Sequence, residues 1–290
     1  MINLQLLKNP QIRIFCSFIC LIIFHQIITW NITANIDLIT TNLVFYGVII
    51  WLLYKKRTEI TLKNHKITQF LGIVLISAIF AKSFFIFLPT DTQFWRVAAL
   101  ISTLGFILII SSWQGLKQFW IEYLILCLML FPSSILEKFI ENEIKLTILT
   151  AKFSAFWLHY IGFEVQRHLN TISLPNGSVF VGYSCTGTPM IVLILKLSLL
   201  FSIMFPLPWK QKLWVVIAGL GMCFLLGGIR VALLAVIVSD KPTFDYWHGT
   251  QGAQIFSTLS MVGFAWLCKY MLDSFNNKDS SSPSDQSSIN

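Results

Sequence analysis

Three polar residues stand in apolar surroundings where polar groups are costly and therefore tend to have a purpose: Cys185, Arg230 and His248. Together they carry a nucleophile, a fixed cation and a proton-transfer group, the set that thiol-based acyl transfer needs. Cys185 stands in Gly182-Tyr183-Ser184-Cys185-Thr186-Gly187, a few residues before an apolar run with Pro189 suited to a first helical turn. A thiol before a helix meets the positive end of the helix dipole and unpaired backbone N–H groups, which favour the thiolate and could hold an oxyanion. A small residue at a helix start is the plainer alternative. Arg230 follows Gly227 and Gly228 and lies roughly 25 Å beyond Leu213 by helix rise, in the outer part of a bilayer. It reads either as a buried working cation or as an arginine reaching out to headgroups. His248, in Asp245-Tyr246-Trp247-His248-Gly249, is the natural proton carrier, and His159 and His168 compete with it for that role.

The elements that position these residues are membrane helices. The chain has 290 residues, 56% of them hydrophobic and 12% charged, with a mean hydropathy of +0.72. Soluble chains carry about 25% charged residues, so this is a polytopic membrane protein in contact with the lipid bilayer. The formal charge of +8 lies mostly in short loops and gives no ground for nucleic-acid binding. No Gly-rich phosphate loop and no metal-type Cys or His pairing is present, so neither a cofactor nor a metal is expected. Of the six cysteines, only Cys185 stands at a loop-to-helix boundary. Cys16, Cys20, Cys127, Cys223 and Cys268 lie inside apolar runs, which argues against a disulfide framework.

Eight stretches approach the roughly 20 apolar residues that a crossing needs: 12–30, 38–54, 67–88, 97–113, 118–136, 188–207, 213–238 and 251–272. The fold class is thus all-α and polytopic, with a membrane domain over 1–272 whose site-bearing half is about 117–272. A polar, disordered cytoplasmic tail is expected over 273–290. Lys55, Lys56, Arg57, Lys63 and Lys66 crowd the second connection, Lys117 the fourth, and Lys210 and Lys212 the sixth. The positive-inside rule then puts both termini in the cytoplasm and residues of about 137–187 and 239–250 outside. Within the first of these outer segments, Glu137 to Lys152 reads as a surface helix. Asn170 to Leu174 and Ser178 to Val181 read as a two-stranded hairpin about Pro175-Asn176-Gly177.

The ordered set Gly182-Tyr183-Ser184-Cys185-Thr186-Gly187, Gly228-Ile229-Arg230-Val231 and His248-Gly249-Thr250-Gln251-Gly252 resembles the exosortase/archaeosortase family of prokaryotic membrane transpeptidases. The likeness covers about 117–272 and the eight-span plan. The resemblance implies Cys185, Arg230 and His248 as the catalytic set. It also implies secreted partner proteins carrying a Pro-Glu-Pro-like C-terminal motif, a transmembrane helix and a basic cluster. Such signals are cleaved beside the helix through a cysteine thioester, and the new carboxyl end passes to an acceptor. Thr186 stands where exosortases commonly have serine, and Gly227 where they often have asparagine, which points to a divergent branch similar in its motifs to cyanobacterial members. With no fused soluble domain expected after the last helix, any accessory partner is expected to be a separate protein.

Two rival classes remain beside this expectation. A transporter or polysaccharide-export component would use Lys82, Lys196 and Arg230 as a polar pathway, though no inverted repeat or Gly/Pro-broken helix pair accompanies them. A non-catalytic assembly factor of the same fold would not need an intact Cys/Arg/His set.

Overall fold

The computed structural model describes residues 10–60, 65–85 and 94–280, which form two compact units. The first holds α1 (Pro10–Thr33), α2 (Ile36–Lys55), α3 (Lys66–Phe85), α4 (Phe94–Gln118) and α5 (Trp120–Leu130). The second holds α6 (Ser133–Ile144), α7 (Leu146–Ile161), strands β1 (Gln166–His168), β2 (Thr171–Leu174) and β3 (Gly177–Phe180), then α8 (Thr188–Met204), α9 (Trp209–Val236), α10 (Lys241–His248) and α11 (Thr250–Ser280). The protein is an all-α polytopic membrane protein with one small sheet.

Six of the described helices are long and apolar enough to cross a membrane, and a seventh crossing results if α5 and α6 count as one broken span. Two of the eight expected spans are therefore altered. The run 118–136 is not one helix: it breaks at Phe131, which adopts φ −58° and ψ 129°. The cause is local, because Pro132 has no N–H to continue the ladder and its ring keeps the preceding residue out of the helical region. The run 188–207 yields only the 17-residue α8, which ends at Met204 before the extended Phe205 and Pro206. The last helix runs past Leu272 to Ser280, and residues 281–290 of the expected tail lie outside the described residues. The end of the 67–88 run, from residue 86, lies outside them too.

In the first unit, polar groups within the apolar helices pair with one another. His25 Nδ1 meets the Tyr46 hydroxyl at 2.7 Å, Gln26 donates to the Ile39 carbonyl, and Lys56 reaches the Glu122 carboxylate at 2.9 Å. Pairing of this kind is what makes a buried polar group tolerable in hydrocarbon. Lys82 is exposed, with its ammonium 4.8 Å from the centre of the Phe94 ring.

In the second unit, the expected surface helix from Glu137 to Lys152 is two helices. Lys145 is left-handed at φ 53°, and the Glu141 carboxylate caps the new N-terminus by accepting from the Thr147 N–H and hydroxyl. Helix α7 then buries Thr147, Thr150, Ala151, Ser154, Ala155 and Leu158, a face of mostly small residues at helical spacing that lets α9 come close. Ser154 Oγ donates to the Gly228 carbonyl at 2.8 Å across that contact. The expected hairpin is present, with Ile172 opposite Val179 and Leu174 opposite Gly177. A third strand, β1, pairs with β2 on its other edge. Ile172, Val179 and Val181 point into a cluster with Leu158, Val231 and Leu234, so the sheet lies against α7 and α9.

Candidate functional site

The strand that ends at Phe180 hands the chain directly to the thiol. Asn170 holds both backbone groups of Val181: its carbonyl accepts from the Val181 N–H at 2.8 Å and its side-chain amide donates to the Val181 carbonyl at 3.3 Å. One 3-10 turn, Tyr183–Cys185, follows, closed by the Cys185 N–H on the Gly182 carbonyl at 3.0 Å. The Thr186 hydroxyl bonds back to the Tyr183 carbonyl at 2.9 Å and contacts the Thr188 hydroxyl at 2.6 Å, fixing the step into α8. Thr186 thus does with one hydroxyl what a serine there could do, and its methyl group is fully buried.

Gly187 is left-handed at φ 76°, a conformation that disfavours any side chain. A Cβ on Gly227 would stand 2.6 Å from the Thr186 carbonyl oxygen and 3.3 Å from the Gly187 Cα. Helix α9 can press against the Cys185 turn only because residue 227 has no side chain. The departure from the family asparagine is therefore matched by a backbone-to-backbone contact that an asparagine would block.

That contact brings the thiol and the cation together. Cys185 is 3% exposed, in the cluster formed by Val181, Val231 and Leu234 with Phe244 and Trp247 packed against it. Arg230, 4% exposed and two turns from the end of α9, lies in electrostatic range of the Cys185 thiol. Its guanidinium donates to the carbonyls of His248 at 3.1 Å and Trp247 at 3.4 Å. It is not an arginine reaching for headgroups; it is buried and tied to the end of α10. His248 is brought to the site by its backbone, while its exposed ring stacks on Phe244 at 5.3 Å between centroids. The competing histidines stand elsewhere: His159 lines an open groove with Glu164, Gln166 and Pro175, and His168 is exposed on β1.

Two further participants were not singled out from the sequence. Trp247 covers the thiol cluster and presents a carbonyl to Arg230. Glu137 accepts a hydrogen bond from the Tyr183 hydroxyl at 3.4 Å, tying α6 to the nucleophile turn. The signal for Glu137 lies in the spacing of Ser133, Glu137 and Glu141, each four residues from the next on one helix face. All six cysteines are free thiols.

The fold and these contacts define a multi-pass helical membrane protein with a buried thiol and guanidinium assembled at one end of its second unit. Residues 30–265, most of the chain, match the family described as Transmembrane exosortase (Exosortase_EpsH). The chain belongs to that family. Comparison with curated proteins and with solved structures gave no match.

Proposed function

We propose that this exosortase is a cysteine-dependent peptidase and transpeptidase that removes C-terminal sorting signals from secreted proteins at the outer face of the cytoplasmic membrane. The observation that carries the reading is Arg230: a buried cation in range of one buried thiol and hydrogen-bonded to the backbone of the histidine segment. Arg230 supplies the positive potential that favours the Cys185 thiolate and, once a carbonyl is attacked, the oxyanion.

In this mechanism His248 takes the Cys185 proton, and the thiolate adds to the scissile carbonyl carbon. The tetrahedral oxyanion forms beside the Arg230 guanidinium. Its collapse breaks the C–N bond, and the protonated His248 gives its proton to the departing amine, which stays attached to the substrate's membrane helix. The acyl group remains on Cys185 as a thioester. An acceptor nucleophile, deprotonated by His248, then attacks the thioester and the cysteine leaves; water as acceptor gives hydrolysis and an amine gives transpeptidation. Tethering by the substrate's own helix raises its effective concentration at the site, so a small constellation suffices.

A transport reading is less well supported, because Arg230 is engaged with two carbonyls and Lys196 with the Ser133 hydroxyl at 3.1 Å. The deciding experiment is co-expression with a secreted protein bearing a Pro-Glu-Pro-like signal. Cys185→Ala should accumulate to the normal level and process nothing. Cys185→Ser should be severely impaired, since an alcohol is far less ionised than a thiol near neutrality. Normal processing by the alanine variant ends the thiol mechanism.

A further inference from the structure

Helix α6 carries a polar stripe on a partly buried face. Ser133, Glu137 and Glu141 share this face and are partly buried, as are Leu136 and Ile140, while the exposed side mixes Ile135 and Phe139 with Lys138 and Asn142. Each member of the stripe holds a different element. Ser133 Oγ accepts from Lys196 Nζ of α8 at 3.1 Å. Glu137 Oε2 accepts from the Tyr183 hydroxyl at 3.4 Å, and the Lys196 charge acts on the same carboxylate. Glu141 caps α7 through Thr147.

Tyr183 is consequently held at both ends. Its ring is tied to α6, and its carbonyl takes the Thr186 hydroxyl at the far side of the turn that presents Cys185. Burial, followed by the Glu137 carboxylate, pushes the Tyr183 phenol up to about 12, so it remains a donor at neutral pH.

We infer that Tyr183 and Glu137 are positioning residues for the nucleophile, forming with Lys196 a clamp that sets the Cys185 turn against Arg230. This deepens the peptidase reading and rests on it. The turn itself is short, with the Cys185 N–H on the Gly182 carbonyl and the Thr186 hydroxyl on the Tyr183 carbonyl, and the grip on its outer end helps to set its angle to α9. Release of the Tyr183 ring lets the thiol move away from the guanidinium and lose part of the stabilisation of its thiolate. A stripe that merely fastens α6 to its neighbours would instead affect the amount of folded protein and leave the thiol unchanged.

The test uses the full-length membrane protein with Cys185 as its only cysteine. Alkylation of Cys185 by iodoacetamide is followed against pH in Tyr183→Phe and Glu137→Gln, beside processing of a co-expressed sorting-signal substrate. The alkylation midpoint should move to higher pH by about half to one unit, slowing alkylation at neutral pH by about three- to tenfold. Processing should lose more in kcat than in KM. Glu137→Gln leaves the Lys196 ammonium beside a neutral amide; should it fail to accumulate, Tyr183→Phe, which removes one oxygen, decides alone. A folded Tyr183→Phe protein with the parental alkylation profile overturns the clamp, whatever its processing rate. Unimpaired processing by Cys185→Ala would overturn the peptidase reading, and the alkylation profile would still report on the clamp.

Discussion

A buried arginine is held in place by what it bonds, and for Arg230 those bonds distinguish two ways of being a cation. One guanidinium nitrogen, Nη2, donates to two consecutive carbonyls, at 3.1 and 3.4 Å, while the charge bears on the thiol at the same time. Lysine offers one compact, strongly hydrated charge of different reach and lacks the planar, delocalised group that spans carbonyls and thiol together. Arg230→Lys should insert and fold, since a positive charge remains where one is already accommodated, yet process substrate at least tenfold more slowly, measured as the rate of signal removal. The bound is set below the roughly 10²–10³ that loss of one oxyanion donor costs at other acyl-transfer sites. Full activity would reduce Arg230 to a structural cation and leave Cys185 and His248 as the chemistry. At this scale the sequence was informative, because cysteine, arginine and histidine in apolar surroundings are conspicuous. Glu137 was hidden for the opposite reason: a glutamate on a charged helix looks solvated until its partner Tyr183, 46 residues away, is known.

Elements were legible where one local rule governs and obscure where two compete. Long apolar runs gave α1, α2 and α9 close to their observed bounds. The run at 118–136 read as a single span because its hydropathy was averaged across Pro132, although a proline there breaks the ladder regardless of hydropathy. Helix α7 was missed as a packing helix because its inward face is built of Thr, Ser and Ala. Such small residues signal close approach rather than burial of bulk. The same logic explains Gly227, a departure from the family pattern that becomes intelligible at the contact between α9 and the Cys185 turn. Any side chain there meets backbone, which cannot swing away as a flexible side chain would. Gly227→Ala should therefore cost stability in the range of about 1–3 kcal/mol typical of overpacking, read as a lower melting temperature in detergent. Gly227→Asn, which restores the common family residue, should be worse than Gly227→Ala and should not raise activity. A stable, active asparagine variant would show that α9 does not need this close contact.

Orientation is a property of the whole molecule, and it does not depend on settling the number of spans. Within the second unit, α8 carries the thiol turn at its start and leads to Lys210 and Lys212 at its far end, where Lys212 Nζ donates to the Ser202 carbonyl at 2.7 Å. Seventeen residues of helix separate the two ends by about 25 Å. Positive residues favour the cytoplasmic edge, so the lysine end is expected inside and the thiol end outside, whether α5 and α6 make one crossing or none. The expectation is tested with single cysteines in a background where all six native cysteines are replaced. Asn176→Cys stands at the exposed tip of the hairpin that leads to the thiol turn, and Lys210→Cys is exposed at the opposite end of the unit. A membrane-impermeant maleimide applied to intact spheroplasts should label Asn176→Cys at once and Lys210→Cys only after lysis. The reversed pattern would place the thiol on the cytoplasmic side. A cysteine site there would face reduced thiols and proteins not yet exported, and a role in trimming secreted substrates after translocation would be untenable.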